Sequence, residues 1–169
     1  AVADFNQDKL QDIYFISNLR TNKLYLNQGN LKFKNTSVIS NVQGRGGFPT
    51  GVTVVDINND GLMDIYVLKS GRFDTDELLK NELFINKGND PNGIPIFEEN
   101  ANKYGLDLPH HSTQASFFDY DRDGDLDMFL INHNIEIYEF KDIEQIEKGT
   151  SDRIGAKLYK NINGKYLDA

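Results

Sequence analysis

Three acidic nonapeptides, each running straight into an apolar segment, constrain this chain more than any other feature. They are Asp4-Phe-Asn-Gln-Asp-Lys-Leu-Gln-Asp12, Asp56-Ile-Asn-Asn-Asp-Gly-Leu-Met-Asp64 and Asp119-Tyr-Asp-Arg-Asp-Gly-Asp-Leu-Asp127. Each puts oxygen-bearing side chains at positions 1, 3, 5 and 9, the spacing of a cage for a hard cation. Eleven of the 26 acids lie in these loops, so the acidity is concentrated where bound cations would neutralise it. Three divalent ions would bring the net charge of -8 to about -2, by adding six charges of the kind such sites take up.

The likeness extends beyond the loops, which makes it a repeat architecture. An apolar strand follows each loop: Ile13-Tyr-Phe-Ile16, Ile65-Tyr-Val-Leu68 and Met128-Phe-Leu-Ile131. A second matching strand comes later, as Asn22-Lys-Leu-Tyr-Leu-Asn27, Asn81-Glu-Leu-Phe-Ile-Asn86 and Ala156-Lys-Leu-Tyr-Lys-Asn161. A glycine turn (Gly29, Gly88, Gly164) and a short aromatic strand around Phe33, Phe97 or Tyr166 close each unit. Gly51-Val-Thr-Val-Val-Asp56 and Thr113-Gln-Ala-Ser-Phe-Phe-Asp119 read as half-buried or buried strands leading into the second and third loops. The expectation is all-β: three four-stranded antiparallel repeats, at about 1–48, 49–110 and 111–169, within one domain, the acidic loop forming the hairpin between strands A and B. Strand A of the first repeat is nearly missing ahead of Asp4. The start at Ala1 without Met is read as processing or excision.

Calcium suits the loops because it accepts six to eight oxygens in a flexible shell. The expected ligands are Asp4, Asn6, Asp8, the Leu10 carbonyl and Asp12; Asp56, Asn58, Asp60, the Leu62 carbonyl and Asp64; and Asp119, Asp121, Asp123, the Asp125 carbonyl and Asp127. Gly61 and Gly124 allow the positive φ of a sharp turn at position 6. Loop three has one more carboxylate than loop two and is expected to bind most tightly. Loop one carries Lys9 where glycine is expected, at a cost of about 1 kcal/mol if the position is left-handed, and is expected to bind most weakly. An EF-hand needs a bidentate Glu at position 12 between two helices, but Phe15, Val67 and Leu130 stand there. Ion-free Asx turns would leave packed carboxylates repelling one another.

The recurring Asp-x-Asp/Asn-x-Asp-Gly-x-x-Asp followed by an apolar strand resembles the FG-GAP or VCBS-type calcium-loop repeats of β-propellers, the class that includes integrin α-subunit blades. The closer likeness is to bacterial secreted or surface VCBS-type proteins. The resemblance implies four-stranded blades around an axis with up to three structural calcium ions in the A to B hairpins. Closed propellers use four to eight blades, so these three read as part of a larger ring of about seven.

Strand parity assigns the faces. The A to B loops and C to D turns emerge on one side; the B to C loops and the connections between repeats emerge on the other. The last loop Asp precedes the strand C motif by 10, 17 and 29 residues in successive repeats (Asp12 to Asn22, Asp64 to Asn81, Asp127 to Ala156), so the variable insertions fall on the non-calcium face. Such loops tend to carry function. Arg45, Phe48, Arg72, His110, His111 and His133 are the candidate ligand-binding residues there. Ile135 to Gly149 fits a short amphipathic helix or a solvated loop. Tyr14, Phe15, Tyr66, Phe117, Phe118 and Phe129 are expected in the core between blades.

The reading is a calcium-stabilised scaffold outside the cell, or on a bacterial surface or outer membrane, recognising a protein or glycan. Its expected partners are further blades or a second copy. The alternative is a polysaccharide hydrolase or lyase with its site on the non-calcium face, but no nucleophile elbow, phosphate loop or zinc motif is present, and no catalytic residue is assigned. The absence of a basic stripe argues against nucleic acid. The chain has no cysteine, hence no disulfide or thiolate site, and no segment fit for membrane insertion.

Overall fold

The computed structural model describes residues 1–18, 20–135, 153 and 155–169. Three four-stranded sheets follow one another along the chain. The first holds β1 (Val2–Ala3), β2 (Asp12–Phe15), β3 (Lys23–Asn27) and β4 (Phe33–Asn35). The second holds β5 (Phe48–Val55), β6 (Asp64–Ser70), β7 (Glu82–Asn89) and β8 (Pro95–Glu99). The third holds β9 (Ser112–Phe118), β10 (Asp127–Asn132), β11 (Gly155–Ile162) and β12 (Lys165–Asp168). Neighbouring strands pair antiparallel in chain order within each sheet, so each repeat is an all-β, blade-like unit. The acidic loops form the first hairpin of each unit. The short helix or solvated loop expected over 135–149 falls, beyond Ile135, outside the described residues. A 3-10 turn (Asp76–Leu78) and a one-turn helix, α1 (Ala101–Tyr104), stand in connections that the strand pattern did not mark.

The alternation of side chains along a strand turns the middle sheet into a two-sided core. Ile65, Val67 and Phe84 pack towards the first sheet with Tyr14, Leu24 and Leu26. Tyr66, Leu68, Leu83 and Ile85 pack towards the third with Met128, Leu130 and Tyr159. Covered on both faces, β6 is buried at every residue. Each such aliphatic side chain contributes roughly 1.5–3 kcal/mol by leaving water.

The outer sheets have one covered face each, which corrects part of the aromatic expectation. Tyr14 and Tyr66 are buried and Phe117 is half-buried in the core. Phe15, Phe118 and Phe129 are exposed by 54%, 44% and 36%, because their strand parity turns them away from the middle sheet.

The second and third sheets also meet through their first strands, β5 and β9. Thr53 Oγ1 donates to the Ala115 carbonyl at 2.9 Å and Thr50 Oγ1 to that of Ser112. Gly51 makes this approach possible, since a Cβ there would strike the Thr113 carbonyl. Gly51→Ala is therefore expected to cost on the order of 1–3 kcal/mol through overpacking. Gly29→Ala, at a turn with open space around it, tests backbone conformation without that collision. Urea unfolding of the two variants, with Gly51→Ala no more destabilised than Gly29→Ala, would count against the close-approach account.

Candidate metal centres

Each A to B loop is wound by its own side chains. In loop two, Asp56 accepts from the backbone N–H of Asp60 at 3.0 Å and of Gly61 at 2.8 Å, while Asp60 accepts from Leu62 N–H at 2.9 Å. Loop one repeats this: Asp4 accepts from Asp8 and Lys9, and Asp8 from Leu10. In loop three Asp119 accepts from Gly124, Asp121 from Asp123, and Asp123 from Asp125. Position 6 is left-handed in all three, with φ of 71° at Lys9, 83° at Gly61 and 97° at Gly124. Lys9 is therefore strained by about 1 kcal/mol relative to glycine. Position 4 is left-handed too, at Gln7, Asn59 and Arg122, a feature that no residue preference in the three loops announces.

The position 9 aspartates are fully buried and join the loop to the third strand of the same sheet. Asp12 accepts from Phe5 N–H at 3.0 Å and Asn27 N–H at 2.8 Å. Asp64 accepts from Ile57 at 3.0 Å and Asn86 at 2.7 Å, and Asp127 from Tyr120 at 3.2 Å and Asn161 at 2.8 Å. The paired asparagine completes the clip: its amide donates to the carbonyl of Gln11, Met63 or Leu126, and its oxygen accepts from the turn glycine Gly29, Gly88 or Gly164. Burial pushes the Asp64 carboxyl up to about 6 and Asp12 upwards as well.

In loop three the carboxylate oxygens of Asp119, Asp121 and Asp127 lie within 4.8 Å of one another, the one such convergence of three titratable ligands among the described residues. Loops one and two carry an amide, Asn6 or Asn58, at position 3, which donates to Asp8 at 3.0 Å or Asp60 at 2.9 Å. Asp121 has no such proton, and Lys160 from β11 supplies one, pairing with Asp121 and lying 3.5 Å from Asp123. That contact holds the Asp121 carboxyl below its ordinary range and pushes the Lys160 ammonium up to about 12.

From loop one into β6, residues 4–67 match the model of the FG-GAP-like repeat. This stretch is an FG-GAP-like repeat. No curated protein matches the chain. The repeat match suggests a β-propeller-type scaffold, and the three successive four-stranded sheets are consistent with propeller blades.

On the loop face, the three units are joined unequally. The end of β7 reaches the first unit: Asn89 donates to the Asn6 carbonyl at 2.8 Å, and Asn86 to that of Phe5 at 2.9 Å. Gln7 donates to the Gly61 carbonyl at 3.1 Å. The turn at Asn163 and Gly164 is short, and a cleft of about 440 Å³ opens between loops two and three, lined by Asn58, Tyr104, Asp125 and Asn161 among others. The sequence signal was the span from the motif asparagine to the aromatic strand, longer from Asn86 to Phe97 than from Asn161 to Tyr166.

On the opposite face the candidate residues fall into two groups. Ser70 Oγ lies 2.7 Å from His133 Nε2, His133 N–H donates to the His111 carbonyl, and the two imidazoles sit edge to face. Burial lowers the His111 pKa. His110 precedes this pair, and Arg72 donates to the Ile135 carbonyl at 2.6 Å. Arg45 lies apart from them, held by Glu82 and Glu99, and Glu82 is also paired at 2.8 Å with the buried Lys69. Phe48, at the start of β5, is 46% exposed.

The Asp64 shift has a definite sign. Its pKa is raised in the fold, so its contribution to stability is full below about pH 4, the ordinary carboxylate range, and is lost as pH rises through about 6. In excess chelator, Tm should fall between those limits, and the fall should be smaller in Asp64→Asn, whose overall stability is lower because its amide cannot accept at both positions. Equal pH slopes for the two proteins would contradict this.

Proposed function

We propose that the chain is a calcium-stabilised recognition scaffold, acting outside the cell or at a cell surface, that presents its non-calcium face to a protein or glycan. The convergence of Asp119, Asp121 and Asp127, in a loop type that recurs three times, carries the reading. The donors fit a hard ion: they are carboxylate, amide and carbonyl oxygens, with no thiolate in the chain. The proposed ligands are the position 1, 3, 5 and 9 side chains and the carbonyls of Leu10, Leu62 and Asp125, for up to three ions. Calcium would supply the positive charge these loops need and lock the hairpins. Chelation is expected to lower Tm, with added calcium restoring it better than magnesium. An unchanged melt after complete metal removal would refute a structural role.

The surface reading draws support from the repeat type, and no helix among the described residues is long and apolar enough to cross a membrane. The ligand would contact Phe48, Arg72 and the His110, His111 and His133 group, with Arg45 at the edge. The Ser70 and His133 contact at 2.7 Å favours a second reading, a polysaccharide hydrolase or lyase using that face. Saturable turnover on a polysaccharide panel, lost in His133→Ala and kept in Asp60→Asn at high calcium, would select it.

Further blades or a second copy are the proposed partners of the two outer faces. The first sheet exposes an apolar hollow of about 480 Å³ lined by Ile13, Phe15, Lys23, Tyr25 and Phe33. The third exposes Phe118, Phe129, Ile131 and Ile162. Such faces invite association. Sedimentation of this chain is expected to show concentration-dependent self-association, reduced by Phe15→Ser or Phe129→Ser. A monomer over a wide concentration range would overturn it.

A further inference from the structure

Lys160 breaks the repeat at one informative place. The corresponding residues of the other third strands are Leu26 and Ile85, each 2% exposed and packed towards the next sheet. Position 3 of the loop changes in parallel. Where the strand carries Leu or Ile, the loop carries Asn6 or Asn58, whose amide bridges to the position 5 carboxylate. Where the strand carries Lys160, the loop carries Asp121, and the ammonium contacts Asp121 and approaches Asp123 to 3.5 Å. One unit has thus exchanged an amide bridge for a carboxylate pair and an ammonium from its own sheet.

We infer that Lys160 is a tethered competitor for the cation of loop three. Its ammonium holds the carboxylates at positions 3 and 5, both required by an incoming ion, and must withdraw before they can coordinate. Being attached to the neighbouring strand, it competes at a high effective concentration. Loop three therefore binds calcium less tightly than its carboxylate count implies, and loading releases Lys160 towards the outer face of the third sheet. The inference rests on reading the loops as calcium sites.

The test follows two backbone amides by NMR during calcium titration of the whole chain: Gly124, which donates to Asp119 in loop three, and Gly61, which donates to Asp56 in loop two. Lys160→Met should tighten the Gly124 transition by about tenfold, equivalent to about 1.4 kcal/mol, and leave Gly61 unchanged. Lys157→Met, on the same strand but paired with Asp168, should move neither. Should the methionine variant fold poorly, Lys160→Gln is expected to act in the same direction. In the wild-type protein, acylation of Lys160, read by mass spectrometry, should be slow in chelator and faster in calcium. A Gly124 transition that is unchanged or weakened in both Lys160 variants, while Gly61 still titrates, would overturn the competition and leave the calcium reading standing. Absence of any transition at either glycine would overturn both.

Discussion

A fully buried aspartate at the end of each acidic loop is the contact on which the rest of each unit depends. Asp12, Asp64 and Asp127 each accept one backbone N–H from the start of the loop and one from the third strand. One carboxylate thereby fixes the first hairpin against the far half of the sheet. Leaving such donors unsatisfied in the interior would cost about 1–3 kcal/mol each, and burying the anion is itself unfavourable, as the raised pKa of Asp64 shows. A cation bound by the proposed ligands would offset that cost, and fold and ion binding would then use one set of atoms.

Packing then follows from parity. The middle sheet buries alternate residues of β6 in two separate cores, and Gly51 lets the first strands of the second and third sheets approach. The outer sheets use the same alternation with only one neighbour, which is why chemically similar aromatics, Tyr66 and Phe129, end in opposite environments.

Much of this was legible in the sequence. The loops, the strands after them and the Asn-flanked third strands all stand where period and turn chemistry placed them, because these signals are local. The positive φ at Gly61 and Gly124 was readable for the same reason. What escaped depended on spatial neighbours. The double role of Asp64 needs Asn86 to be brought beside it, and the pairing of Lys160 with Asp121 joins residues whose link shows only when the repeats are superposed. Arg45 was grouped with the histidines by face, whereas Glu82 and Glu99 hold it elsewhere.

The unequal joining of the loop face has a mechanical consequence. The first and second sheets are stitched there by Asn86, Asn89 and Gln7. Between the second and third, among the described residues, hydrogen bonds lie towards the other face at Thr50, Ser70 and Asn81 and midway along the first strands at Thr53. The first junction resists splaying of its loops directly, while the second has its restraints on the far side of the core, like a book bound at the spine. A rotation of the third sheet about that binding would widen or narrow the cleft between loops two and three.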